Sequence, residues 1–255
     1  MKKKIDIVQR RHQDYLRRKG LKVGRVYEGR LIRLRAKEVK RVLELCKNFG
    51  NPHEWAGVVE GNLSEPYLFD WYKGLYTEAG LPMMKSTARD LSKGKAEPND
   101  DMWLEELMDY AEQRAGQEIV LVSGTMKENL VKVVRGTLEE HPDIGVEKFA
   151  QSIFNGYKDI ALWQARRIAQ TETMIGLAAA SDMAAQTLSV NFLKQWCISG
   201  VGNTRESHEV MDGVIVGQNE RFVLKDCEMN YPHEVGAPAG EIINCACTCI
   251  RLPMI

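Results

Sequence analysis

The chain has 255 residues, of which 44% are hydrophobic and 27% charged, and its 35 Lys and Arg balance its 35 Asp and Glu. That length supports one large domain or two small ones with a proper core, and the composition excludes a disordered or fibrous chain. No apolar run approaches the roughly 18 residues that a membrane helix needs, so no membrane partner is expected, and the basic start MKKKIDIVQRRHQDY lacks the apolar stretch of a signal peptide.

The zero net charge conceals an asymmetry. Residues 1–50 hold 17 Lys or Arg against 5 Asp or Glu, a net of +12 that residues 51–255 offset at −12. A basic head on an acidic body suggests an anionic partner, either nucleic acid or an acidic protein surface. The candidate contacts are Lys2, Lys3, Lys4, Arg10, Arg11, Arg17, Arg18 and Lys19. The competing explanation is a solvated helix with paired charges.

Gly24 to Phe49 reads as a helix, because Leu31, Leu34, Val39, Val42, Leu43 and Cys46 recur near helical period. A second helix is predicted over 65–79 and is expected to end at Gly80-Leu81-Pro82. SKGKAEPND (92–100) reads as a loop, with a helix following over 101–115. Thr125-Met126-Lys127-Glu128 has capping-box spacing and predicts a fresh helix start, running to about Gly136. A short helix over 145–155 and a long one over 158–188 follow.

After Leu188 the pattern changes. LKQWCIS (193–199) reads as a strand, DGVIVGQNERFVL (212–224) as a hairpin about Gly217–Glu220, NYPHEVGAPAGE (230–241) as a loop, and IINCACTCIRL (242–252) as a closing strand. The expected fold class is therefore α+β, with a helical N-terminal two-thirds and a small mostly-β C-terminal module. The expected organisation is a basic helical region over 1–115 and a second domain over 116–255.

In the long helix, Leu162, Ala165, Ala169, Glu172, Gly176, Ala179 and Met183 share one face of small residues. Glu172 sits within that apolar stripe and needs a partner. Arg205 is the expected one, through a bidentate fork, and an internal tie is the favoured role over a catalytic acid or base.

INCACTCI places Cys245, Cys247 and Cys249 at every second position. Without a secretion signal the six thiols are expected reduced. His208 with Cys245 and Cys247, joined by Cys249 or His233, would offer zinc three or four ligands. The spacing is a weak zinc signal, because only one C-x-C run is present. On an extended strand the three thiols would line one face without converging. Buried thiols are therefore the favoured reading, with no cofactor expected and zinc kept open through His208. A P-loop, a dinucleotide fingerprint, a serine elbow and an HExxH motif are all missing from the text. No catalytic residue is assigned and no enzymatic activity is expected.

Four stretches in fixed order carry a resemblance. RRIAQTET (166–173), KQWCIS (194–199), NTRESHEVMDG (203–213) and NYPHEVGAPAGEIINCACT (230–248) together resemble the phage head morphogenesis family, the phage Mu protein F-like minor head proteins. The matching positions are Arg167, Thr171, Glu172, Trp196, Thr204, Arg205, His208, Asp212, Gly213, Pro232, Pro238, Asn244, Cys245 and Cys247. Gln170, the Pro232-His233-Glu234 run, Ala246 and Cys249 depart from the pattern.

The resemblance implies a minor head protein of a tailed bacteriophage, acting near the portal and touching the portal or the major capsid protein. Its basic N-terminal region would be free to contact packaged DNA. The implied location is the virion, in the head interior or beside the portal, after assembly in the bacterial cytoplasm. The implied fold of the C-terminal domain is ADP-ribosyltransferase-like, and some relatives carry a toxin domain beyond the cysteine ending. No such domain is expected after Ile255, and no paired-glutamate motif for ADP-ribosyl transfer is present. An ADP-ribosyltransferase-like or metal-dependent enzyme delivered with the phage DNA is the alternative function.

Overall fold

The computed structural model describes residues 7–49, 51–95, 99–199 and 204–254. Its elements are helices α1 (Ile7–Phe49), α2 (Trp55–Asn62), α3 (Leu68–Leu91), α4 (Asp100–Glu140) and α5 (Val146–Gln186), then strand β1 (Phe192–Cys197), helix α6 (Glu206–Glu209), strands β2 (Ile215–Gly217), β3 (Phe222–Val223) and β4 (Glu228–Met229), helix α7 (Ala239–Ile242) and strand β5 (Thr248–Pro253). This is the α+β arrangement expected, with long helices first and a small β module last.

The helices are longer than the sequence signals suggest, and packing explains each difference. α1 begins at Ile7 rather than at Gly24. Gly20 and Gly24 do not break it, because they admit a neighbour: a Cβ on Gly20 would lie 2.5 Å from Leu177 Cδ1, and one on Gly24 would collide with Thr173. α3 continues past Gly80 and through Pro82. A proline inside a helix costs about 3 kcal/mol, which the burial of Met83, Met84, Ala88 and Leu91 beyond it offsets. The capping-box start at Thr125 is corrected, since α4 runs unbroken across it. The Thr125 hydroxyl instead donates to the Leu121 carbonyl at 2.9 Å, one turn back. The helices expected over 145–155 and 158–188 are one helix, and Gly156 lies close to Val133 Cγ1, 3.2 Å from where its Cβ would be.

Two compact units result, each assembled from separated segments. The first takes the described residues of Met1–Val26, Lys73–Ala111 and Ala169–Ile255. Its helical core joins Leu16, Met84, Trp103, Leu107, Leu177, Ala180 and Ala184. The second takes Tyr27–Tyr72 and Glu112–Ile168, around Trp55, Val59, Leu130, Phe149 and Ile153. There Arg35 and Glu65 form an ion pair of 2.9 Å with both side chains fully buried. α4 passes position 115 without a break.

In the first unit β1 is the central strand of an antiparallel sheet ordered β2-β1-β5. Trp196 pairs with Cys249 and Lys194 with Arg251 across β1 and β5. Arg251 fastens this sheet to α5, donating to Ser181 Oγ at 2.5 Å and to Asp182 Oδ1 at 2.8 Å. The hairpin expected over 212–224 is corrected: β2 pairs with β1, whereas β3 pairs with β4 in a second, two-stranded sheet. Glu220 tightens the turn between them by accepting from the Gly217 N–H at 2.7 Å.

Candidate functional site

The chain brings His208, Cys245 and Cys247 together in the first unit. Their ligand-type atoms all lie within 4.8 Å of one another, and all three residues are buried. Two local turns place them. α6 follows Arg205, whose backbone is extended at φ −67° and ψ 146°, and carries His208 inward. α7 ends at Ile242, and Asn244 then takes the left-handed conformation at φ 59°. Asparagine is one of the few side-chain-bearing residues that visits that region readily. This turn swings Cys245 and Cys247 toward His208 before β5 begins at Thr248.

The expected closing strand over 242–252 is thereby corrected. Only Cys249 of the three thiols lies on β5, where its thiol donates to the Ile250 carbonyl at 3.8 Å. Cys245 and Cys247 precede the strand and converge. His208 Nδ1 lies 3.5 Å from Cys245 Sγ and 3.4 Å from Cys247 Sγ. The Cys247 backbone N–H donates to Cys245 Sγ at 3.4 Å.

This geometry polarises the pair. Cys245 is held far below the ordinary thiol range: Cys247 is the largest cause, burial opposes it, and His208 and His233 add to it. Cys247 is pushed up by its neighbour Cys245 and by burial. Trp196 stacks edge-on to His208 with centroids 5.2 Å apart. Its indole N–H lacks a well-directed partner among the described residues, and it pulls the Cys247 thiol down.

A second layer surrounds the cluster. His208 Nε2 lies 2.7 Å from Glu241 Oε2, a charge contact that is off the line of a well-directed hydrogen bond, and Ser207 Oγ donates to the same carboxylate at 3.0 Å. His233 is buried, sits at φ 70°, and its Nε2 is 3.2 Å from the Cys247 carbonyl. Its Nδ1 is buried without a well-directed partner among the described residues. Arg205 donates to the Ile243 carbonyl at 2.5 Å. The Asn244 N–H donates to Thr171 Oγ1 at 3.4 Å, and Asp212 Oδ1 accepts from the Ile198 N–H at 3.0 Å. Gly213, at φ 78°, donates its N–H to the Trp196 carbonyl at 2.9 Å. Pro238 caps the start of α7. Thr204 is half-buried before α6.

Two motif residues take no part in the cluster. Arg167 stacks on Trp163, its guanidinium carbon 4.2 Å from the ring centroid, and belongs to the second unit. Glu172 is buried and accepts from the Tyr76 hydroxyl at 2.7 Å. The tie expected from Arg205 is corrected, since Arg205 serves the Ile243 carbonyl. Tyr76 was not legible as a partner, because it is 96 residues away. Glu241 was also missed, although it sits four positions before Cys245.

The basic head divides. Arg11, Arg18 and Lys19 are exposed. Arg17 is corrected as a surface contact, being 4% exposed and 3.4 Å from Asp14. Arg10 is half-buried and faces the β module, donating to the Ile198 carbonyl at 3.1 Å and lying 3.6 Å from Asp212. Lys2, Lys3 and Lys4 lie outside the described residues. In the second unit an open groove of about 660 Å³ is lined by Lys37, Lys40, Arg41 and Lys47 with Glu44 and Glu147. Lys47 pairs with both glutamates and Arg41 with Glu38.

No family model matches the chain, and no solved structure matches it. Among curated proteins it is similar to the NAD(+)--arginine ADP-ribosyltransferase EFV of Enterococcus faecalis, at 30% identity over 115 residues. The match takes in 39% of this chain and 23% of that protein, so the chain spans under a quarter of the relative's length. This similarity corrects the expectation of no enzymatic activity, which rested on missing motifs alone. Among the described residues no helix is long and apolar enough to cross a membrane.

Proposed function

We propose that the chain is a minor head protein of a tailed bacteriophage that acts in head morphogenesis near the portal. One observation carries the reading: Thr171, Trp196, Arg205, His208, Asn244, Cys245 and Cys247, among the motif residues on which the resemblance rests, meet at one place. Thr171 accepts from the Asn244 N–H, Arg205 holds the Ile243 carbonyl, Trp196 flanks His208, and His208 faces Cys245 and Cys247. Residues scattered between 171 and 247 thus form one knot, which gives the order of the motifs a physical reason. A module knotted in this way is rigid, and a rigid module suits docking on a portal or an inner capsid surface. Exposed Arg11, Arg18 and Lys19 would serve contact with packaged DNA. The virion, in its interior or beside the portal, is the corresponding location. Mass spectrometry of purified particles, comparing full with emptied heads, tests this. Stoichiometric presence in full heads is the expected result, and absence from both refutes it.

The similarity to the Enterococcus protein favours a second reading, an ADP-ribosyltransferase-type enzyme that uses NAD. The small share of that protein matched leaves the location of its transferase activity open, and the resemblance includes members with a toxin domain after the cysteine ending. Incubation with labelled NAD and an arginine-bearing acceptor distinguishes the two. Label transfer by the purified chain establishes the enzyme. NAD left intact, with no label on the acceptor, removes it.

A further inference from the structure

We propose that Cys245, Cys247, His208 and His233 form a closed, structural zinc site within the β module. The inference stands on the convergence of His208, Cys245 and Cys247 and on the buried Nδ1 of His233, and it is independent of the role proposed for the chain.

The separations match those around a zinc ion. Zinc holds thiolate sulfur at about 2.3 Å and imidazole nitrogen at about 2.0–2.1 Å, so tetrahedral ligands of these two kinds stand about 3.6 Å apart. His208 Nδ1 lies 3.5 and 3.4 Å from the two sulfurs. Three side chains from two separate stretches of chain therefore already stand at ligand spacing around one point.

Both imidazoles are oriented as ligands. A zinc-bound histidine offers one ring nitrogen to the ion and gives its other N–H to an oxygen, which fixes the tautomer. His208 turns Nδ1 to the sulfurs and sets Nε2 beside the Glu241 carboxylate. His233 sets Nε2 beside the Cys247 carbonyl and leaves Nδ1 buried without a well-directed partner among the described residues. A buried polar nitrogen without a partner is costly, and a metal bond removes that cost. His233 holds its position at φ 70°, a left-handed state that costs a histidine backbone energy and that its surroundings offset.

The outer contacts suit two thiolates. The Cys247 N–H donates to Cys245 Sγ. Two thiolates balance the charge of a divalent ion, so the buried centre would carry no net charge. Sulfur with imidazole selects zinc over magnesium or calcium. Four protein donors leave no open position, which makes the role structural. The metal would pin α6, the loop bearing His233 and the approach to β5 together.

The test uses the full chain purified without chelator. Elemental analysis is expected to find about one zinc per chain, four donors being one site. Cobalt substitution is expected to show tetrahedral d–d bands with thiolate charge transfer. Cys245→Ser should weaken the sulfur-to-cobalt band, because one of two thiolates is lost, and Glu241→Gln should weaken zinc affinity about 10–100-fold. If a variant fails to fold, chelation of the wild-type chain still decides: its melting temperature should fall, and added zinc should restore it. Wild-type chain that takes up no zinc or cobalt after reduction overturns the site. A His233→Ala variant with an unchanged cobalt spectrum overturns the fourth ligand.

Discussion

Gly176→Ala isolates the close approach that the small face of α5 permits. A Cβ at this position would lie 2.6 Å from Tyr76 Cδ1 and 3.0 Å from Cε1, so the ring must move. The same tyrosine donates its hydroxyl to buried Glu172 at 2.7 Å. Overpacking of this kind costs about 1–3 kcal/mol, and a lost hydrogen bond to a charged group costs about 1.5–3 kcal/mol. Replacing glycine by alanine in a helix returns about 1 kcal/mol. The net expectation is destabilisation by about 2–4 kcal/mol. Gly116→Ala is the control, since nothing lies within 4 Å of its added methyl, and it should gain up to about 1 kcal/mol. Urea unfolding followed by circular dichroism reads both. Tyr76→Phe alone should cost about 1.5–3 kcal/mol, and much less in the Gly176→Ala background, because both changes remove one bond. If Gly176→Ala is as stable as Gly116→Ala, the close packing of α5 on Tyr76 is wrong.

Three further outcomes follow from other parts of the chain. Glu65→Ala strands the fully buried Arg35 and should cost about 3–5 kcal/mol, whereas Arg35→Met with Glu65→Leu should recover most of that loss; urea midpoints of the single and double variants decide. Gly213→Ala must hold a side chain at φ 78° and should lower stability by about 1–2 kcal/mol, read by thermal unfolding. Burial pushes the Cys46 thiol from 9.0 to about 11. An acid whose folded value is raised stabilises the fold fully below pH 9 and loses that contribution as pH rises toward 11. The wild-type chain should therefore lose on the order of 2–3 kcal/mol more than Cys46→Ala across that window, and parallel stability curves would refute the assignment.

The fold class was legible because helical periodicity is local and the β end has its own turn residues. Helix ends were less legible, for one recurring reason. Glycine, proline and Thr125 carry breaker or cap signals that are averages over many surroundings. Here Gly20, Gly24 and Gly156 face neighbours that fill the space a side chain would take, and Thr125 spends its hydroxyl on its own helix. Tertiary packing decided each case, and packing partners such as Leu177 and Tyr76 are far away in the text. β3 was assigned to the wrong partner by the same logic: a turn at Gly217–Glu220 is visible, but which strand lies opposite is a long-range property.

The cysteine run shows where a periodic argument stops being valid. Alternation places thiols on one face only if the backbone stays extended, and Asn244 at φ 59° breaks that condition one residue before Cys245. The asparagine was in plain view, yet its left-handed turn is chosen only when something holds the following residues. Thr171 does so through the Asn244 N–H, and Arg205 does so through the Ile243 carbonyl. The buried tie expected at Glu172 is real in kind, with a tyrosine as its donor, while the arginine meant for it holds the turn that aims the thiols. The knot and the cluster are thus one construction: residues that look like separate motifs in the text are the supports that keep two sulfurs and an imidazole within reach of each other.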